Sequence, residues 1–156
     1  MNVELKERIE MINRGEVPEG YKKTRIGIIP EDWEVITLGK LFRFNGGYPI
    51  PRNKLGEKGI CYLHYGDIHT RNSNLIDVEK EKNALPKIAK TIDEINNNYL
   101  LDDGDIVFVD ASEDLEGIGK SITILNMPSI PFVAGLHTIV AKDRKRILNK
   151  GFKRYF

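Results

Sequence analysis

Cysteine is nearly missing from this sequence. Cys61 is the only one among 156 residues, so no disulfide can form within the chain and a reducing compartment, the cytoplasm, is expected. Cys61 sits in the apolar run Ile60–Leu63 and reads as a small core residue rather than a reactive thiol. No apolar run approaches the ~20 residues that a membrane-spanning helix requires. The opening MNVELKERIE is charged where a secretory leader would be apolar. Histidine is scarce as well, and His64, His69 and His137 lack the spacing of a zinc motif. The net charge is only +1, so overall charge does not single out a nucleic-acid binder. No internal repeat and no low-complexity segment is visible.

What remains is an ordinary globular composition, 40% apolar and 30% charged, enough for one core. The charge is unevenly placed. From Lys142 to Arg154, seven cations (Lys142, Arg144, Lys145, Arg146, Lys150, Lys153 and Arg154) face Asp143 alone. Such a tail is either a solvated terminus or a strip that tracks phosphates.

Periodicity predicts a helix over Val3–Arg14, with Leu5, Ile9 and Ile12 on one narrow stripe and Gly15 as its C-terminal cap. Residues 16–31, with Pro18, Gly20, Gly27 and Pro30, read as an extended connector. Thr37 is a candidate N-cap before Leu38, Leu41 and Phe42. The Gly- and Pro-rich stretch 46–59 and the polar stretch 66–74 read as loops. Strands are expected over 60–65, 106–109, 118–125, 132–134 and 138–141, and Thr91 with Glu94 forms a capping-box pattern opening a short helix over about 92–97. This implies an α+β, β-dominated fold with short helices.

No catalytic or metal-binding constellation and no cofactor site is assigned. The carboxylates Asp102, Asp103, Asp105, Asp110, Glu113, Asp114 and Glu116 match no EF-hand spacing, and Asp is common in turns for its own backbone bonds. Ser112, His137 and Asp110 lack a nucleophile-elbow context. Gly117-Ile118-Gly119-Lys120 lacks the Walker spacing, although backbone amides with Lys120 suit a DNA phosphate. The groups left on expected loops are polar and aromatic: Tyr48, Arg52, Lys54, Tyr65, His69, Arg71, Ser112 and Lys120. Side chains of this kind can read base edges, an Arg through two hydrogen bonds to guanine.

Three ordered segments carry a resemblance. Gly20–Trp33 is similar to a GYKxTxIGxIPxDW entry segment. Gly104–Asp114 with Gly117–Lys120 is similar to a GDIVFxDASED…G(I/V)GK segment, and Phe132–Thr138 to FVxGLHT. Together they resemble the target-recognition domain of Type I restriction-modification specificity subunits. The resemblance implies a non-catalytic, sequence-specific binder of double-stranded DNA that reads one half of a bipartite target. Its partners would be the modification subunit, which holds S-adenosylmethionine and methylates, and the restriction subunit, which cleaves with ATP. Residues 1–15 would be the tail of a spacer helix, 16–31 the connector, and 32–156 the recognition domain, incomplete at its C-terminus. Asp105 and His137 would be structural landmarks, with bases read from the stretches 46–58 and 66–74. A homodimer restoring the second half is open but disfavoured by so short a helix. The alternative is an interaction protein that binds the modification subunit with little DNA affinity of its own.

Overall fold

The computed structural model describes residues 3–112, 115–143 and 146–156. Glu113 and Asp114 of the carboxylate run, and Arg144 and Lys145 of the basic tail, lie outside the described residues. The chain divides into two compact units, one ending at Thr37 and the other starting at Leu38.

In the first unit, α1 (Val3–Asn13) forms where the stripe predicts it. It ends as anticipated at Gly15, with φ 78°. Gly15 N–H donates to Ile12 O and Glu16 N–H to Met11 O, both at 2.9 Å, the paired bonds that satisfy the last helical carbonyls. The connector is not simply extended. β1 (Tyr21–Thr24) and β2 (Gly27–Pro30) form an antiparallel hairpin pairing Tyr21 with Pro30 and Thr24 with Gly27. Pro18 and Gly20 precede the strands, and Gly27 and Pro30 stand at the two ends of β2 instead of interrupting it. Gly27 supplies the φ of 130° that the turn needs, and Thr24 Oγ1 donates to Gly27 O at 2.8 Å.

In the second unit, α2 (Leu38–Leu41) runs directly into β3 (Phe42–Gly46), followed by β4 (Leu55–Gly56) and β5 (Ile60–Leu63). Next come α3 (Tyr65–Thr70), β6 (Leu75–Asp77), α4 (Val78–Glu81) and β7 (Lys87–Ile88). The chain closes with β8 (Ile106–Val109), β9 (Ser121–Leu125), β10 (Phe132–Ala134), β11 (Thr138–Asp143) and α5 (Lys150–Lys153). Two sheets result, ordered β3-β11-β8-β9-β6 and β10-β5-β7-β4. Pairing is antiparallel except for β6 with β9 and β10 with β5. The fold is α+β and sheet-rich, as the sequence predicts.

The main core lies between these two sheets. Leu63, Phe132 and Ala134 from one meet Val107, Val109, Ile122, Ile124 and Val140 from the other, with Ile68 of α3 and Val78 of α4 filling in. The alternate residues Ile60, Tyr62 and Val133 pack on the opposite face with Ile88 and Ile95. Residues 60–65 suggest an alternating strand in sequence, but β5 is buried on both faces, as is β10. Cys61 is buried in the main core, and burial pushes its thiol up, away from the reactive thiolate.

Several local expectations are corrected. Residues 66–74 do not form a simple loop, because α3 occupies their first half. His64 caps it, its Nδ1 accepting Gly66 N–H at 3.0 Å, and Arg71 ends it in an extended conformation. One helical turn with Ile68 as its buried residue shows no periodicity that a sequence could reveal. The Thr91–Glu94 capping box forms, with Thr91 N–H donating to Glu94 at 2.7 Å, but it caps a single 3-10 turn, Ile92–Glu94. A second such turn spans Asn97–Tyr99. Phe42 begins an edge strand rather than continuing a helix. The strand expected from Ile118 starts at Ser121, after a turn that Gly119 makes at φ 80°.

The basic tail and the acidic run turn out to be partners. Lys142 Nζ lies 2.9 Å from Asp102 and 3.1 Å from Asp105, Lys150 pairs with Asp103, and Lys153 pairs with Asp143. Lys153 is 2% exposed and also donates to Gly104 O at 2.7 Å. Asp105 is buried and accepts the N–H groups of Asp102 at 2.8 Å and Asp143 at 3.2 Å. Burial pushes its carboxyl up, against the pull of those donors and Lys142. The structural role expected of Asp105 agrees with this placement, and three of the described cations of the basic tail are engaged by carboxylates.

Candidate nucleic-acid interface

The parallel pairing of β5 with β10 decides which distant residues meet. Parallel strands end on the same edge, so the chain leaves Leu63 into His64-Tyr65 beside the point where it leaves Ala134 into Gly135-Leu136-His137. Tyr65 and His137 come together as a result, their rings edge-to-face at 5.3 Å. Tyr65 also stacks against His64 at 4.5 Å and meets the edge of His69 at 5.9 Å. Among the described residues all three histidines touch this one tyrosine. His137 adopts φ 58°, unusual for a residue with a side chain, and its Nδ1 lies 3.6 Å from Asp110 Oδ1. That separation is an ion-pair distance, longer than an oriented hydrogen bond.

The β8–β9 connection brings a second set of groups to the same place. Lys120 Nζ donates to His69 O at 2.8 Å. Gly117 packs so tightly that an added Cβ would lie 2.2 Å from Ser112 Oγ and 2.5 Å from His69 Cε1, which puts Ser112 against the His69 ring. His69 Nε2 is buried and has no hydrogen-bond partner among the described residues. On the other side, Arg52 lies with Nη2 3.6 Å from Asp67 of α3, and its Nη1 is 3.5 Å from His64 Nδ1. Desolvation, reinforced by the Arg52 charge, holds the His64 imidazole below its ordinary value, so His64 stays neutral.

The structure thus gathers Arg52, Tyr65, His69, Ser112 and Lys120 around α3, and adds His64, Asp110 and His137. Arg52 and Lys120 offer charge, Tyr65 a ring and a hydroxyl, and the imidazoles either a donor or an acceptor. This mixture suits a ligand carrying both negative oxygens and polar ring edges. Lys54 is exposed in the 3-10 turn Arg52–Lys54.

Arg71, at the C-terminal end of α3, and Tyr48 make none of these contacts. Arg71 is ion-paired with Glu81 and its side chain is 23% exposed. It lines a groove of about 930 Å3 that Arg52, Asp67, Thr70 and Lys87 also border. Tyr48 is half-buried, edge-to-face with Tyr99 at 5.1 Å, and its carbonyl accepts the Tyr62 hydroxyl at 3.3 Å. Sequence reasoning did not assign His64, and it read His137 as a landmark only. Parallel pairing between strands seventy residues apart leaves no local signature by which either could have been placed.

No helix of the described residues is long and apolar enough to cross a membrane, and none of their His, Cys, Asp and Glu side chains form a group of three placed to hold a metal ion. Neither a family model nor a curated protein matches the chain.

Proposed function

We propose that this chain binds double-stranded DNA sequence-specifically, as the recognition domain of a Type I restriction-modification specificity subunit. It would read one half of a bipartite target and direct a cytoplasmic complex whose methyltransferase and nuclease activities lie in partner subunits. One observation carries the reading. The two later segments of the resemblance, remote from α3 in sequence, converge on it: Ser112, Gly117 and Lys120 from one, His137 from the other. A surface assembled from those segments, mixing cations, imidazoles and a tyrosine, has the chemistry of phosphate anchoring beside base contact. The test is selection from random duplexes at moderate salt, with the modification subunit supplied. Enrichment of one short motif is expected, with affinity falling as salt rises. Recovery of unenriched sequence would refute the reading.

A second reading is favoured by α1, which leaves Leu5 and Ile9 exposed one turn apart. In that reading the chain binds the modification subunit through a helical contact and contributes little DNA affinity. Nuclease-resistant co-purification with that subunit, together with no motif from selection, would favour it.

A further inference from the structure

A hollow of about 320 Å3 lies between β3 and the 3-10 turn Asn97–Tyr99, lined by Arg43, Asn45, Asn96, Asn98 and Tyr99 with Gly46 and Gly47. Its place in the fold is fixed by backbone contact. Gly47 N–H donates to Thr138 O at 3.0 Å and Tyr48 N–H to Ala134 O at 2.7 Å. A Cβ on Gly47 would stand 1.8 Å from Gly135 O, so only glycine allows this approach. The segment 135–138 therefore packs behind Gly47, a lining residue of the hollow, through Gly135 and Thr138, and meets Tyr65 of the α3 cluster through His137.

The hollow holds Asn98 in a particular way. Asn45 Nδ2 donates to Asn98 O at 3.1 Å, and Asn98 N–H donates to Asn96 Oδ1 at 2.9 Å. Both backbone groups of Asn98 are committed, while its own amide has no partner among the described residues and is exposed. Arg43 and Asn45 are two apart on an edge strand, so they share one face. The Tyr48–Tyr99 pair stands beside them.

We propose that this amide-lined hollow is a second part of the DNA face, in which Asn98 reads the edge of an adenine and Arg43 holds the adjoining phosphate. The inference rests on the DNA-binding reading above. Its chemistry distinguishes a base from a phosphate. A phosphate offers only acceptors and is met by cations, whereas a carboxamide presents a donor and an acceptor side by side. That pair is complementary to adenine N6–H and N7. Three asparagines and one arginine suit a base edge better than a run of phosphates. A side chain whose backbone is pinned from both directions is also preorganised for such a contact.

The experiment uses the full chain with the modification subunit. Affinities are measured for the selected duplex and for each single base-pair change in it, with wild type, Asn98→Ala and Arg43→Gln, folding being checked by circular dichroism. Asn98→Ala is expected to flatten preference at one A·T pair by about tenfold and leave the other positions intact. Replacing that adenine by 7-deazaadenine should cost wild type a similar factor and cost Asn98→Ala nothing further. Arg43→Gln should weaken all sequences alike. The inference is overturned if Asn98→Ala changes no position, or weakens every sequence equally, while wild type still selects a motif. If wild type selects none, the DNA-binding reading falls and this one with it.

Discussion

Asp143→Asn keeps the shape of the side chain and removes the counter-charge from a lysine that water barely reaches. Lys153 is 2% exposed and Asp143 6%, and the ammonium has Gly104 O as its other acceptor at 2.7 Å. Desolvating an ion costs several kcal/mol, and removing one member of a buried pair costs about 3–5 kcal/mol because the other charge is stranded. Asn can still accept the Arg146 N–H that Asp143 Oδ1 takes at 2.7 Å, so the lower end, about 3 kcal/mol, is expected. At about 2–4 °C per kcal/mol for a chain of this size, the unfolding midpoint should fall by roughly 6–12 °C. The assay is thermal and urea denaturation at neutral pH of wild type, Asp143→Asn, Lys153→Met and the double variant. Asp143→Asn leaves the buried Lys153 charge without its counter-charge, whereas the double change removes both members of the pair and should return most of the loss. A single-variant cost below about 1 kcal/mol, the range of a surface pair, would refute the argument. So would a double variant no more stable than the worse single one.

Two further outcomes follow from the α3 cluster. The depressed His64 value means that the fold favours neutral imidazole, and Nδ1 must stay unprotonated to accept Gly66 N–H. That stabilisation is present above the ordinary imidazole value of about 6.5 and is lost as pH falls from there through the lowered folded value. Gly66 and Asp67 amides should therefore lose hydrogen-exchange protection on acidification, and His64→Asn, which caps without titrating, should not show the loss. An identical acid profile in both proteins would count against it. Gly117→Ala would place a methyl 2.2 Å from Ser112 Oγ and 2.5 Å from His69 Cε1, so the His69 ring must move. Duplex affinity should fall about tenfold or more with a midpoint changed by only a few degrees, measured by titration and thermal denaturation. Unchanged affinity would remove His69 from the interface.

Legibility from sequence depended on how local each signal was. The helix α1, its glycine end, β8 and β10 were each written in a short window, by stripe, cap or apolar run, and lie where expected. The β1–β2 hairpin was missed because Gly27 and Pro30 were counted as breakers, although both fall at strand termini. α3 was missed because its cap is a histidine, a residue that only this side-chain rotamer turns into an acceptor for Gly66. At the candidate interface, residue types were legible but neighbours were not. Tyr65, His69, Ser112 and Lys120 came from separate stretches and meet through sheet pairing. Arg71 looked equally available until Glu81 engaged it.

Under the proposed DNA-binding function, the pairing of the basic tail bears on the salt dependence to expect. Three of its described cations, Lys142, Lys150 and Lys153, neutralise Asp102, Asp103, Asp105 and Asp143. These seven charges fasten the end of the chain to the turn at Gly104, where an added Cβ would stand 2.9 Å from Lys153 Nζ. The cations that border the two candidate surfaces include Arg43, Lys54 and Lys120, with Arg52 already sharing its charge with Asp67. Each phosphate neutralised adds about −0.9 to the slope of log affinity against log salt. Three to four contacts give roughly −3, a shallow dependence for a sequence-specific binder. A chain with net charge +1 cannot make up the difference with a long-range field. Under the proposed function, discrimination would come from base contacts and affinity from the modification subunit. A slope measured on the chain alone near −3 would agree with this reasoning. A slope of −6 or steeper would mean that the tail releases its lysines on binding, and the Asp143→Asn variant, with Lys153 already unpaired, would then bind DNA more tightly than wild type.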